Sequence, residues 1–142
     1  MLNDTLKSMS VQMPIQVNPY DIDFGGVVSN IVYIRWLEDM RIKFLDTYYP
    51  LESQVKKGFA PIVVETRAYY KRPLKLFSKP IGFLWVKHLG RVKYVIGAEI
   101  SENNQLVFEA EQSGCFAELS TGRPIHVPED FYEKYKLFTL GT

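Results

Sequence analysis

Apolar and polar residues alternate in two rhythms along this chain, and each change of rhythm marks a new element. From Val11 to Val17 the run VQMPIQV reads as a strand. Pro14 cannot donate to a ladder, which places that strand at an edge or a bulge. After Asn30 the period lengthens. Ile34, Leu37, Met40, Phe44, Leu45 and Tyr48 follow helical spacing, while Tyr33, Trp36 and Ile42 widen the stripe. This predicts one helix of about 18 residues, roughly 27 Å long, stopped by Pro50. So wide an apolar surface predicts a helix embraced on several sides.

A short helical or irregular piece is expected over Leu51–Gly58. Then the period falls to two. Pro61–Tyr70, Ile81–His88, Val92–Ile100 and Leu106–Leu119 read as strands, with turns at Leu89-Gly90-Arg91 and Ser101–Gln105. Val92, Tyr94, Ile96, Ala98 and Ile100 share one face. A turn at Thr121–Pro124 leads to a short helix over Pro128–Tyr135. The first ten residues are expected to be a flexible lead-in, and residues 11–142 a single domain. The sum is an α+β chain: a five-stranded antiparallel sheet that buries one face by wrapping one long central helix.

Composition narrows the classes. A length of 142 residues suits one core. With 17 basic and 16 acidic side chains the net charge is +1, so nothing draws the whole molecule to nucleic acid or to an anionic membrane. The one cysteine, Cys115, precludes an intramolecular disulfide and fits a reducing compartment. No apolar run approaches the roughly 20 residues that span a bilayer. The opening residues lack the charged-then-apolar pattern of a secretory leader. The expectation is a cytoplasmic protein.

Candidate chemistry concentrates in PYDIDFGGVVSN, just before the long helix. A helix N-terminus carries unpaired N–H groups and partial positive charge. A carboxylate held there, Asp21 or Asp23, stays ionised, and an oxyanion forming on a bound carbonyl is stabilised. Gly25 and Gly26 permit close approach of backbone and ligand. The arrangement suits attack on an acyl carbonyl, with Asp as nucleophile or as general base for water. Aspartate and glycine also serve simply as turn and cap residues, as Ser29 or Asn30 would, and the pattern alone does not separate the two. A calcium loop is excluded: its third ligand position holds Gly25 and its bidentate glutamate position holds Val32. No G-x-S-x-G elbow or phosphate loop is present, and Cys115 lies mid-strand, where an inert buried thiol is expected. Glu38 and Arg41, three apart, suggest a structural ion pair.

The run Y-D-I-D-F-G-G-V-V-S-N-I-V-Y-I-R-W-L-E-D-M-R resembles the signature of the 4-hydroxybenzoyl-CoA thioesterase and YbgC-like branch of the hotdog superfamily. The positions that carry the resemblance are Asp21, Asp23, Gly26, Asn30, Tyr33, Trp36, Glu38 and Arg41. V-E-T-R-A-Y-Y-K-R-P (Val64–Pro73), L-G-R at Arg91 and T-G-R-P-I-H-V-P-E-D (Thr121–Asp130) extend it over roughly Val11–Tyr135. The resemblance implies a hotdog fold, hydrolysis of acyl-CoA or acyl carrier protein thioesters, and a homo-oligomer with active sites at interfaces. It places the catalytic carboxylate on Asp23 and the carbonyl-polarising amide at Asn30, beside Ser29. Gly26 and Val27 fall where substrate is bound; Tyr33 either lines the acyl pocket or packs in the core. Arg91 and Lys93 either meet coenzyme A phosphates or are solvated hairpin charges, and the same two readings hold for a second basic cluster, Lys71, Arg72 and Lys75, near a turn. No cofactor is implied, since coenzyme A is part of the substrate, and no metal, nucleic acid or membrane. The chain departs from the pattern at Phe77-Ser78-Lys79, where many members carry an Asp-rich or Gly-Asp turn, and at Val92, often Ser. Two other readings remain open: a non-catalytic acyl-thioester binder, and a dehydratase or hydratase. The latter needs a histidine near the helix, where neither His88 nor His126 falls.

Overall fold

The computed structural model describes residues 9–140. Strand β1 (Ser10–Pro14) is followed by a 3₁₀ turn over Pro19–Asp21, the long helix α1 (Asn30–Tyr48) and a short helix α2 (Leu51–Lys56). Strands β2 (Phe59–Tyr70), β3 (Ile81–Leu89), β4 (Lys93–Glu102) and β5 (Gln105–Glu118) come next. A two-residue strand β6 (Pro124–Ile125) and helix α3 (Glu129–Leu140) close the chain. The strands form one antiparallel sheet in the order β1-β3-β4-β5-β2, with β6 added against β5. The sixth strand does not widen the sheet. Phe116 and Ala117 pair with β2 on one side and with β6 on the other, where β4 has already ended at Lys93.

Pro14 sits on an edge strand as its missing N–H requires, since among the described residues β1 pairs only with β3. The expected lead-in, residues 1–10, is described only at its last two residues. Met9 is fully buried and Ser10 opens β1; the rest of that segment, residues 1–8, lies outside the described residues, as do 141–142. Tyr94, Ile96, Ala98 and Ile100 face inward as their alternation predicts, whereas Val92 falls in the hairpin and is exposed.

Helix α1 buries Val32, Tyr33, Trp36, Leu37, Met40 and Phe44 against the sheet. Leu37 and Met40 are completely covered, each worth about 2 kcal/mol of apolar burial. Ile31, Ile34 and Ile42 are 62%, 40% and 44% exposed, so the helix is covered on one broad face and not all round. The sheet curves over one side of the rod, and residues about half a turn away from that side stay in solvent.

Candidate active site

The segment before α1 is a stack of small hydrogen-bonded turns that treats its two aspartates differently. Asp21 is buried, and its Oδ2 accepts the Asn18 N–H at 2.8 Å, closing a capping box on the 3₁₀ turn. Asp23 is only half-buried. Its N–H donates to Val27 O at 2.8 Å and its carbonyl accepts the Gly26 N–H at 3.0 Å, while Ile22 bridges Val28. Gly26 takes φ +81°, a left-handed conformation that side chains resist. The Gly25 N–H donates to Asp23 Oδ1 at 2.8 Å, and a Cβ on Gly25 would stand 3.2 Å from that oxygen. Oδ1 is thereby oriented, while Oδ2 has no hydrogen-bond partner among the described residues.

Ser29 is the N-cap of α1, but its side chain makes no capping hydrogen bond. Its N–H donates to Asp21 O at 2.9 Å, and the Val32 N–H returns to Ser29 O at 3.0 Å. Between them the N–H groups of Asn30 and Ile31 find no acceptor among the described residues. Two amide donors with the positive end of the helix dipole behind them are therefore left open to an incoming anion or carbonyl oxygen. The Asn30 carbonyl is held by the Tyr70 hydroxyl at 3.2 Å, and the Val28 N–H donates to Leu74 O at 2.8 Å. The loop after β2 is thus bolted to the aspartate turn.

Tyr33 enters the core, stacked on Phe108 at 4.9 Å and edge-on to Tyr70 and Trp36. Arg91 and Lys93 lie at the opposite end of α1, roughly 28 Å away along its axis. There Arg91 is 3.4 Å from Glu129 and 4.8 Å over the ring of Tyr132, on the helix whose Phe131 packs on Phe44 and Tyr49. One chain alone does not bring Arg91 or Lys93 to Asp23.

The thioesterase-like superfamily matches residues 17–135. The chain belongs to that superfamily. No curated protein matches its sequence. Among solved structures it resembles a DHNA-CoA thioesterase from Staphylococcus aureus at 18% identity, covering 93% of this chain and 94% of that one, with TM-score 0.84. It also resembles a mutant of 4-hydroxybenzoyl CoA thioesterase complexed with 4-hydroxybenzoyl CoA, at 22% identity, 90% and 99% coverage and TM-score 0.83. A hypothetical protein from Thermus thermophilus matches at 21% identity, 89% and 98% coverage and TM-score 0.83. The α+β architecture is that of the hotdog thioesterases. No helix among the described residues is long and apolar enough to cross a membrane.

Two features of this superfamily member escaped sequence reasoning. Arg41 does not pair with Glu38. Its Nη1 donates to Gln112 Oε1 at 3.0 Å, and Gln112 Nε2 donates to Thr66 Oγ1 at 3.0 Å, a relay joining α1, β5 and β2. Gln112 is buried and needs both partners, and nothing local in the sequence announces a contact 71 residues away. Arg41 also edges an apolar cavity of about 60 Å³ between α1 and the sheet, with Phe44, Leu84, Tyr94 and Phe116. The second feature is the cationic loop beside the aspartate turn, noticed as a cluster in the sequence but not placed there.

Proposed function

We propose that this chain hydrolyses acyl thioesters of coenzyme A or of an acyl carrier protein, releasing free acid and thiol. Asp23 supplies the carboxylate, as nucleophile or as general base for water. The N–H groups of Asn30 and Ile31 polarise the thioester carbonyl, and the backbone of Gly26, Val27 and Ser29 forms the near wall. The observation that carries this reading is a carboxylate with one oriented oxygen and one without a partner among the described residues, in the turn that leads into two helix amides likewise without an acceptor. Attack on a carbonyl needs both, because negative charge moves from the attacking oxygen onto the carbonyl oxygen as the bond forms. Every component belongs to the protein, so no cofactor is required.

A homo-oligomer suits this reading. Strand β2 runs for 12 residues with, among the described residues, a strand neighbour on one side only, and Ile62, Val64, Tyr69 and Tyr70 on it are exposed. A second copy pairing antiparallel along that edge would set the Tyr70 end of one chain, with its Asp23, against the Phe59 end of the other. That pairing would also bring Arg91 and Lys93 of one chain toward the Asp23 of the other.

The test is release of free thiol from a panel of aliphatic and aryl acyl-CoAs. Asp23→Asn is expected to lose at least about a hundredfold in kcat with the oligomer intact. A mutant that keeps wild-type turnover overturns the assignment. Wild-type protein that binds the thioesters, with a raised melting temperature, yet releases no thiol would instead be an acyl-thioester binder.

A further inference from the structure

We propose that the loop after β2, residues 71–79, grips the nucleotide end of coenzyme A, with Arg72 and Lys75 on its phosphates and Phe77 against its base. This rests on the thioesterase reading and names the carrier that reading leaves open.

The charge distribution points to this loop. No aspartate or glutamate occurs between Glu65 and Glu99, whereas Arg67, Lys71, Arg72, Lys75, Lys79, Lys87, Arg91 and Lys93 all do. Four of these cations are paired, Arg67 with Glu65, Lys71 with Glu109, Lys87 with Glu111 and Arg91 with Glu129. Arg72, Lys75, Lys79 and Lys93 form no ion pair among the described residues, and the first three lie on this one loop. In a molecule of net charge +1 that is a local positive field, next to the proposed catalytic turn. The loop is not a loose tether. Leu74 is fully buried and its carbonyl takes the Val28 N–H, so the backbone that carries the cations is tied to the aspartate turn.

Phe77 supplies the second, independent observation. The Ser78 N–H donates to Lys75 O at 3.0 Å and the Lys75 N–H to Ser78 Oγ at 3.0 Å, closing a tight turn. Phe77 occupies its third position with φ 77°, where glycine is the unstrained residue. Its ring is 85% exposed. A phenylalanine kept for stability would be buried on a relaxed backbone, and this one has neither advantage. Beside it runs an open groove of about 840 Å³ lined by Pro14, Val17, Pro19, Leu76 and Pro80, whose Pro19 wall leads into the aspartate turn. Cations for phosphate and an exposed aromatic face for a base, on one loop, are the chemistry of a nucleotide site. An acidic carrier protein offers charge but no base to stack.

The experiment compares one acyl group carried on coenzyme A, on pantetheine and on acyl carrier protein. Phe77→Gly is the decisive variant, because it removes the ring while relaxing the backbone. It is expected to raise KM for acyl-CoA roughly fivefold through lost stacking, with kcat and the acyl-pantetheine KM unmoved and the melting temperature not lowered. Arg72→Gln combined with Lys75→Gln is expected to raise the acyl-CoA KM about tenfold and flatten its dependence on salt. An unchanged acyl-CoA KM in both variants overturns the proposal, as does an equal rise for acyl-pantetheine. A loss confined to the carrier-protein substrate also overturns it and assigns the loop to an acidic protein. Binding of free coenzyme A against pantetheine, measured by calorimetry, keeps this separate from the hydrolysis reading. Protein that releases no thiol but prefers coenzyme A, and loses that preference in Phe77→Gly, supports the grip while ending the hydrolase assignment.

Discussion

The two ends of α1 are built in opposite ways. At the C-terminal end Lys134 Nζ donates to Tyr48 O at 2.7 Å, and Gln54 Nε2 to Tyr49 O at 2.8 Å. The Tyr49 hydroxyl reaches Asp130 at 2.8 Å, and Phe131 stacks on Tyr49 with centroids 4.8 Å apart. Here a cation meets the negative end of the helix dipole, and carbonyls that would face solvent are capped by side chains. The N-terminal end is left unfinished. Among the described residues its cap residue Ser29 makes no side-chain bond, two amides find no acceptor, one Asp23 oxygen has no partner, and Arg72 and Lys75 have no counter-ion. A helix end gains about 1 kcal/mol from a good cap, so an uncapped end beside a carboxylate gives up stability that the other end secures. That difference separates the end that holds the fold together from the end available for chemistry.

The largest effect that would sharpen this contrast is at the sealed end. Phe131→Ala should cost about 3–5 kcal/mol of unfolding free energy, because a buried ring shared with Phe44, Tyr49 and Phe116 leaves a cavity. Urea titration measures it, and activity per folded molecule should not change. Asp23→Asn should do the reverse, with activity lost and stability moved by less than about 0.5 kcal/mol.

A smaller effect concerns Tyr94, which donates to Ile62 O at 2.6 Å near the same sealed end. Burial pushes its hydroxyl up from 10.0 to about 12, with nearby Arg41 pulling the other way. The folded value exceeds the unfolded one, so this stabilisation is complete below pH 10 and is lost as pH rises toward 12. At 1.36 kcal/mol per unit it amounts to about 3 kcal/mol. Alkaline unfolding curves should flatten over that window in Tyr94→Phe. The smallest effect is the most pointed. Ser29→Ala, at a position where caps ordinarily matter, should change stability by less than about 0.5 kcal/mol, since there is no side-chain bond to lose. A cost near 2 kcal/mol would show that the N-terminal end is capped after all and break the comparison.

Much of this architecture was legible one residue at a time. Helix α1 begins at Asn30 and ends at Tyr48, just short of Pro50 as anticipated, and Pro14 lies on an edge strand. The aspartate turn was legible too, because Gly25 and Gly26 mark a geometry that other residues resist. What was misread involved partners. Arg41 was assigned to Glu38, its neighbour on the helix, and instead bonds Gln112 on β5. The place of Arg91 and Lys93 stood open between coenzyme A phosphates and a solvated hairpin, and within one chain that hairpin lies at the far end of α1.

The amino-acid sequence by itself determined where this chain turns, which stretches take a period of two or 3.6, and that a carboxylate precedes a helix. Those signals act within a few residues, through backbone sterics and the hydration of alternate faces. Only the tertiary structure decided which strip of α1 stays exposed, which of the two aspartates keeps a free oxygen, and which cations lie beside it. Those outcomes depend on how the sheet closes over the helix, where strand register joins residues far apart in the chain, and no local pattern encodes that closure.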